Sequence, residues 1–164
     1  MQGVSIKEAF LRVLSFEPFW TILCGVLVFL ICEYAKNTWF DALQQYKHMK
    51  YHISYLLCMH ANKYTNPVDI AMYNDALPQE YKDASEDFRE TASKMRAFIE
   101  VLPFIHIGIP NKKKLYEASA QLIGLSNSFT LPYNASKNPA YRDREQDNEV
   151  RADSLRSLLK IYTK

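Results

Sequence analysis

Fifteen consecutive residues, Pro18 to Cys32, carry no charge and lie between Glu17 and Glu33. As a helix this stretch spans roughly 22 Å, short of the roughly 30 Å hydrocarbon core of a bilayer. Leu14 and Phe16 before it, and Tyr34 and Ala35 after it, extend the apolar reach if the two glutamates snorkel. Trp20, Trp39 and Phe40 fall where an interfacial aromatic belt belongs. The stretch is apolar on every side, whereas a surface helix of a small soluble domain shows a polar stripe. It therefore predicts a single transmembrane helix over residues 18–35, with a buried helix of a soluble bundle as the competing reading. A cleaved secretory signal fits badly, because Glu33 stands two positions before Ala35 where small residues are needed.

Ahead of the span, Ser5 and Glu8 have capping-box spacing, and Ile6, Phe10, Val13 and Leu14 follow at helical intervals. Residues 1–17 are thus expected to form a short amphipathic helix on the membrane surface. After the span the helical pattern continues without Gly or Pro through Phe40, Leu43, Tyr46, Ile53 and Leu57 to about Asn62. Asn66-Pro67 then predicts a short helical piece through Ala76. The clearest amphipathic helix runs from Pro78 to Pro103, with Tyr81, Ala84, Phe88, Met95, Phe98 and Leu102 on one face and Thr91 and Ala92 filling it. A helix capped by Asn111 buries Leu115, Ala118, Leu122, Leu125 and Phe129. A last helix opens at Asn138-Pro139 and turns Leu155, Leu158 and Tyr162 inward. The alternating pattern of strands is missing. The expected fold is all-α: an N-terminal transmembrane helix that continues into a small antiparallel bundle over residues 36–164.

Charge changes the picture little. Twenty Lys and Arg face 18 Asp and Glu, a net charge of +2, which argues against nucleic acid as a partner. Two cations, Lys7 and Arg12, precede the span and three, Lys36, Lys47 and Lys50, follow it closely, so the C-terminal domain is expected on the cytoplasmic side. The triplet Asn134-Ala-Ser136 would matter only in a lumenal setting. Three cysteines at 24, 32 and 58 are too few for a disulfide scaffold, and none forms a CxxC pair.

Catalytic patterns are missing. No nucleophile elbow, phosphate loop or kinase signature occurs, and Ser119, Ser126 and Ser128 have no evident base. His48 and His52 lie one helical turn apart and His60 eight residues further on, the nearest approach to a metal set. A zincin would need Glu at position 49, which is Met, so these histidines read as polar residues on the solvated side of a helix. No cofactor or metal is expected.

Two surfaces are singled out instead. Thr21, Gly25, Val28 and Cys32 share one face of the span, and Thr21-x-x-x-Gly25 is a small-residue pair that allows close helix approach and self-association. Phe104, Ile105 and Ile107, followed by Lys112, Lys113 and Lys114, join an apolar turn to three cations that oppose the helix macrodipole. In an antiparallel bundle that turn returns to the lipid, where the lysines would meet anionic headgroups. The opposite tip gathers Asp69, Asp75, Glu80, Asp83, Glu86, Asp87 and Glu90 against Lys82 and Arg89. The expected protein is a non-enzymatic, membrane-anchored helical adaptor that binds a protein partner or itself. The alternatives are a membrane-perturbing effector, such as a toxin or defence component, acting through its short span, and a helical metalloprotein.

Overall fold

A computed structural model describes residues 7, 17–69, 77–104, 107–131 and 144–161. It divides the chain into two compact units, Met1–Asp41 and Ala42–Lys164. Apart from one pair of two-residue strands, the described regular structure is helical.

The first unit is dominated by α1, Glu17–Ala35. Pro18 sits in its first turn, where a missing amide costs nothing, and the branched and aromatic residues that follow fit a helix stabilised by its surroundings rather than by propensity. Its 19 residues span roughly 28 Å, because the helix includes both flanking glutamates. The helix is long and apolar enough to cross a membrane, and none of its most apolar window is buried. Ile22, Phe29 and Ile31 are all about two-thirds exposed, which in water would be an aggregation hazard. Of the amphipathic helix expected over residues 1–17, only Lys7 and Glu17 are described, each with helical backbone; the Ser5 and Glu8 cap lies outside the described residues.

Helical backbone continues past Ala35, as expected from the want of Gly and Pro, but not as uniform α-helix. Lys36–Phe40 forms a π-helical segment. There the Thr38 hydroxyl donates to the Tyr34 carbonyl at 2.6 Å, and the Trp39 and Phe40 rings lie 4.7 Å apart. Phe40, which the helical pattern puts on one face with Leu43, Tyr46, Ile53 and Leu57, sits in this segment and is half exposed. The buried face of α2, Asp41–Met59, is instead Ala42, Tyr46, Ile53, Leu56 and Leu57, with Leu43 only partly buried beside it.

A short α3, Ala61–Thr65, follows a turn at His60. The helical piece expected after Asn66-Pro67 is corrected at its start: Val68–Asp69 is β1, paired in parallel with β2, Thr130–Leu131. The Val68 amide donates to the Phe129 carbonyl at 3.1 Å, so a tertiary partner claims backbone that local sequence assigns to a helix. Residues 70–76 lie outside the described residues.

Three longer helices complete the second unit: α4, Gln79–Val101; α5, Lys112–Ser128; and α6, Arg144–Leu159. Their cross-contacts give the directions. Ser85 bonds Ser126 near one end of α4 and α5, and Tyr116 bonds Glu100 near the other, so these two run antiparallel. Tyr46 reaches Leu159 and the Tyr64 carbonyl accepts from Asn148, so the α2–α3 run is antiparallel to α6. His60, in the turn after α2, bonds Asp87, and Lys63, on α3, bonds the Glu80 carbonyl, which sets α3 antiparallel to α4. Phe88, Met95, Ile99, Leu115, Leu122, Leu125, Phe129 and Leu155 are fully buried in the shared core. The Asn111 cap forms as expected, its side chain accepting from the Lys114 amide at 3.0 Å. The start expected at Asn138-Pro139 and the inward Tyr162 lie outside the described residues.

Candidate functional site

The tightest helix pairs in the second unit are α4 with α5 and α5 with α6. Small residues contribute: Ala84 and Ala92 on α4 and Ala118 and Ser119 on α5 are buried, and small side chains let helix axes approach. Helix α2 faces α4 with larger groups, and an open groove of about 610 Å³ remains between them. Gln45, His48, Met49 and His52 form the α2 wall; Thr91, Lys94, Ala97, Phe98 and Val101 form the α4 wall. Spacings of three and four residues on both walls make the groove run along the helices.

Its character is mainly apolar, with polar groups at the edge. Val101 is 73% exposed at one end, an unusual setting for a β-branched residue. Along the rim, Lys94 pairs with Glu90 at 2.8 Å. The hydrogen bond from Lys94, and then its charge, hold the Glu90 carboxyl below the usual carboxylate range. His52 stacks on Tyr55 with ring centroids 6.5 Å apart. Charged rim and apolar floor match what an amphipathic helix presents.

His48 and His52 are thus together on the groove wall and exposed, as the sequence reading has them. His60 is not. It is buried, its Nε2 lies 3.0 Å from the Asp87 carboxylate and its ring packs 5.9 Å from Phe88. The reading of His60 as a solvated residue is corrected: α2 ends at Met59, and the turn swings the next side chain inward. Its Nδ1 is buried without a hydrogen-bond partner among the described residues. Among those residues no group of three His, Cys, Asp or Glu stands close enough to hold a metal ion.

The serines are structural participants. Ser119 is buried and accepts from Arg96 Nε at 3.0 Å; Ser126 pairs with Ser85 at 3.1 Å; Ser128 donates to the Leu125 carbonyl. Asp87, Glu80 and Glu90 of the expected acidic tip are each engaged by a cation or histidine, at His60, Lys63 and Lys94. Thr21, Gly25, Val28 and Cys32 are all exposed on α1, and a Cβ added at Gly25 would meet nothing within 4 Å. Phe104, Ile107, Lys112, Lys113 and Lys114 are exposed; Ile105 lies outside the described residues.

Sequence reasoning missed two features. One is Asn148, buried on α6 with its amide donating to the Tyr64 carbonyl at 2.7 Å; an isolated Asn in a charged helix gives no signal. The other is the groove, which depends on the separation of two helices rather than on either one's pattern. No protein family, curated protein or solved structure matches this chain.

Proposed function

We propose that the protein is a single-pass membrane protein whose helical bundle serves as a non-enzymatic interaction module. In this reading α1 anchors the chain and the α2–α4 groove receives an amphipathic helix from a protein partner. The apolar groove carries the proposal: its lining of Met49, Phe98 and Val101 leaves area that a partner's apolar stripe would remove from water. The anchor reading is supported by the exposure of apolar residues all round α1. The pairing of Glu33 with Lys36 at 3.7 Å adds to it, because it offsets charge at the end of the apolar run.

The effector alternative has its motive in a span too short for the bilayer. The uncharged run stays at 15 residues, but snorkelling of the flanking Glu17 and Glu33 together with local thinning of the bilayer absorbs the shortfall at modest cost. That weakens the motive for a membrane-perturbing role and leaves the adaptor reading ahead.

Two measurements test the proposal together. The full chain should stay with membranes under alkaline carbonate, and release into the supernatant would remove the anchor. A photoreactive residue at Val101 should crosslink to one discrete partner in intact membranes, and Ala97→Glu should abolish that adduct. A ladder of multiples of the chain's own mass would assign the groove to self-association. Labelling that Ala97→Glu leaves unchanged would sink the groove as a binding site.

A further inference from the structure

A second recess, of about 330 Å³, opens at the end of the bundle where its chain begins. Lys50 on α2, Lys114 in the first turn of α5 and Lys160 just past α6 all line it, and none of its described lining residues is acidic. Tyr46 forms part of the wall, donating to the Leu159 carbonyl at 3.2 Å. Beside it Gly108 adopts φ 86°, a turn closed tightly enough that an added Cβ would press on Leu43 at 3.3 Å.

Lys160 is the telling residue. It holds φ 52°, the only non-glycine at positive φ among the described residues. Helix α6 closes through the Lys160 amide on the Ser157 carbonyl and the Ile161 amide on the Arg156 carbonyl. That closure calls for a left-handed residue at position 160, where Gly is usual and a side chain is strained. A lysine there costs local stability, and it joins Lys50 and Lys114 in lining the recess. Lys50 Nζ donates to the Lys160 carbonyl at 2.5 Å, which leaves two of its three donor hydrogens for another acceptor.

We infer that this recess takes the phosphate-bearing headgroup of an anionic lipid, a reading that rests on α1 being a membrane anchor. In sequence only six residues lie between Ala35, the last residue of α1, and Ala42, the first of the second unit. In the sequence just ahead of the lining residue Gly108 stand Phe104, 98% exposed, and Ile107, two-thirds exposed, which are apolar groups suited to the acyl boundary. Lys112 and Lys113 add charge on the same turn. Three lysines round one recess, one of them at a strained position, with exposed apolar residues close by in the chain, are the chemistry of a headgroup site rather than of a solubilising surface.

The test uses the full chain in lipid nanodiscs of phosphatidylcholine, with or without phosphatidylserine, and reads acylation of each lysine by mass spectrometry. Lys50, Lys114 and Lys160 should react roughly fivefold more slowly in the anionic discs, with Lys82 unchanged and the protection lost at high salt. Lys160→Gly should raise the thermal midpoint, since it relieves the left-handed strain, and yet reduce protection at Lys50 and Lys114. Equal rates in both discs, with the protein still eluting with lipid, would overturn the headgroup site while the anchor stands. The same protection from inorganic phosphate in neutral discs would overturn it in favour of a soluble ligand. Protein eluting without lipid is a separate signal and would overturn anchor and inference together.

Discussion

Tyr46 places its hydroxyl inside the bundle, and burial pushes its pKa up to about 12. The ordinary value is near 10, so the folded chain keeps the phenol neutral where the unfolded chain ionises it. The stabilisation is therefore fully present below pH 10 and is lost as pH rises from there towards 12. Denaturant titrations across that window should show a steeper alkaline loss for wild type than for Tyr46→Phe; parallel curves would contradict the burial. Asn148 makes a second residue-scale case. Its amide supplies the Tyr64 carbonyl, while its own Oδ1 is buried without a partner among the described residues. Asn148→Ala strands that carbonyl and should cost about 1–3 kcal/mol. Equal midpoints for variant and wild type in a urea melt would show that water replaces the amide there.

At the scale of elements, α5 depends on packing more than on its own helix propensity. Three lysines open it against the macrodipole, and Gly124 sits in its interior, where Arg151 from α6 lies over the bare backbone. What holds α5 is its fully buried face of Leu115, Ala118, Leu122, Leu125 and Phe129. Leu122→Ala should then destabilise the bundle by about 2–5 kcal/mol, the range for a leucine whose cavity cannot collapse. A loss under 1 kcal/mol in the same urea melt would mean the core relaxes around the site. Helix α1 poses the reverse problem, since Gly25 has open space where a side chain would go. If Thr21, Gly25, Val28 and Cys32 form a contact between copies, Gly25→Leu should weaken self-association in a membrane two-hybrid assay. Undiminished signal would move the contact to another face.

For the whole molecule, the prediction concerns sidedness: if α1 spans a membrane, the flanking cations, Lys36, Lys47 and Lys50 against Lys7 and Arg12, predict a cytoplasmic second unit. A reporter active only in the cytoplasm, fused after Lys164, should be active, and glycan on Asn134 would reverse the assignment. Sidedness also bears on the headgroup site, because the cytoplasmic leaflet is the one rich in anionic lipid. The groove and the lysine recess occupy different parts of the second unit and share none of their lining residues. Under the two proposals, partner and lipid would therefore not compete for the same residues.

Much of this was open to a reader of the sequence, for physical reasons that differ by element. The core face of α4 is legible because period-3.6 placement of Ala84, Phe88, Met95 and Phe98 has one helical solution. The Asn111 cap is legible because a short acceptor one turn ahead of free amides has few other uses. Apolar exposure on α1 follows from composition, since between Glu17 and Glu33 no face of it carries a charge. Other features needed the chain to be brought together. Val68–Asp69 becomes a strand only because Thr130–Leu131 lies beside it. His60 turns inward because α2 ends one residue earlier and Asp87 waits across the gap. Lys50, Lys114 and Lys160 are separated by 64 and 46 positions, and only the antiparallel return of three helices sets them round one recess. Periodicity records what a helix buries on its own axis, whereas distances between axes, and the sites that form in them, are properties of the packed molecule.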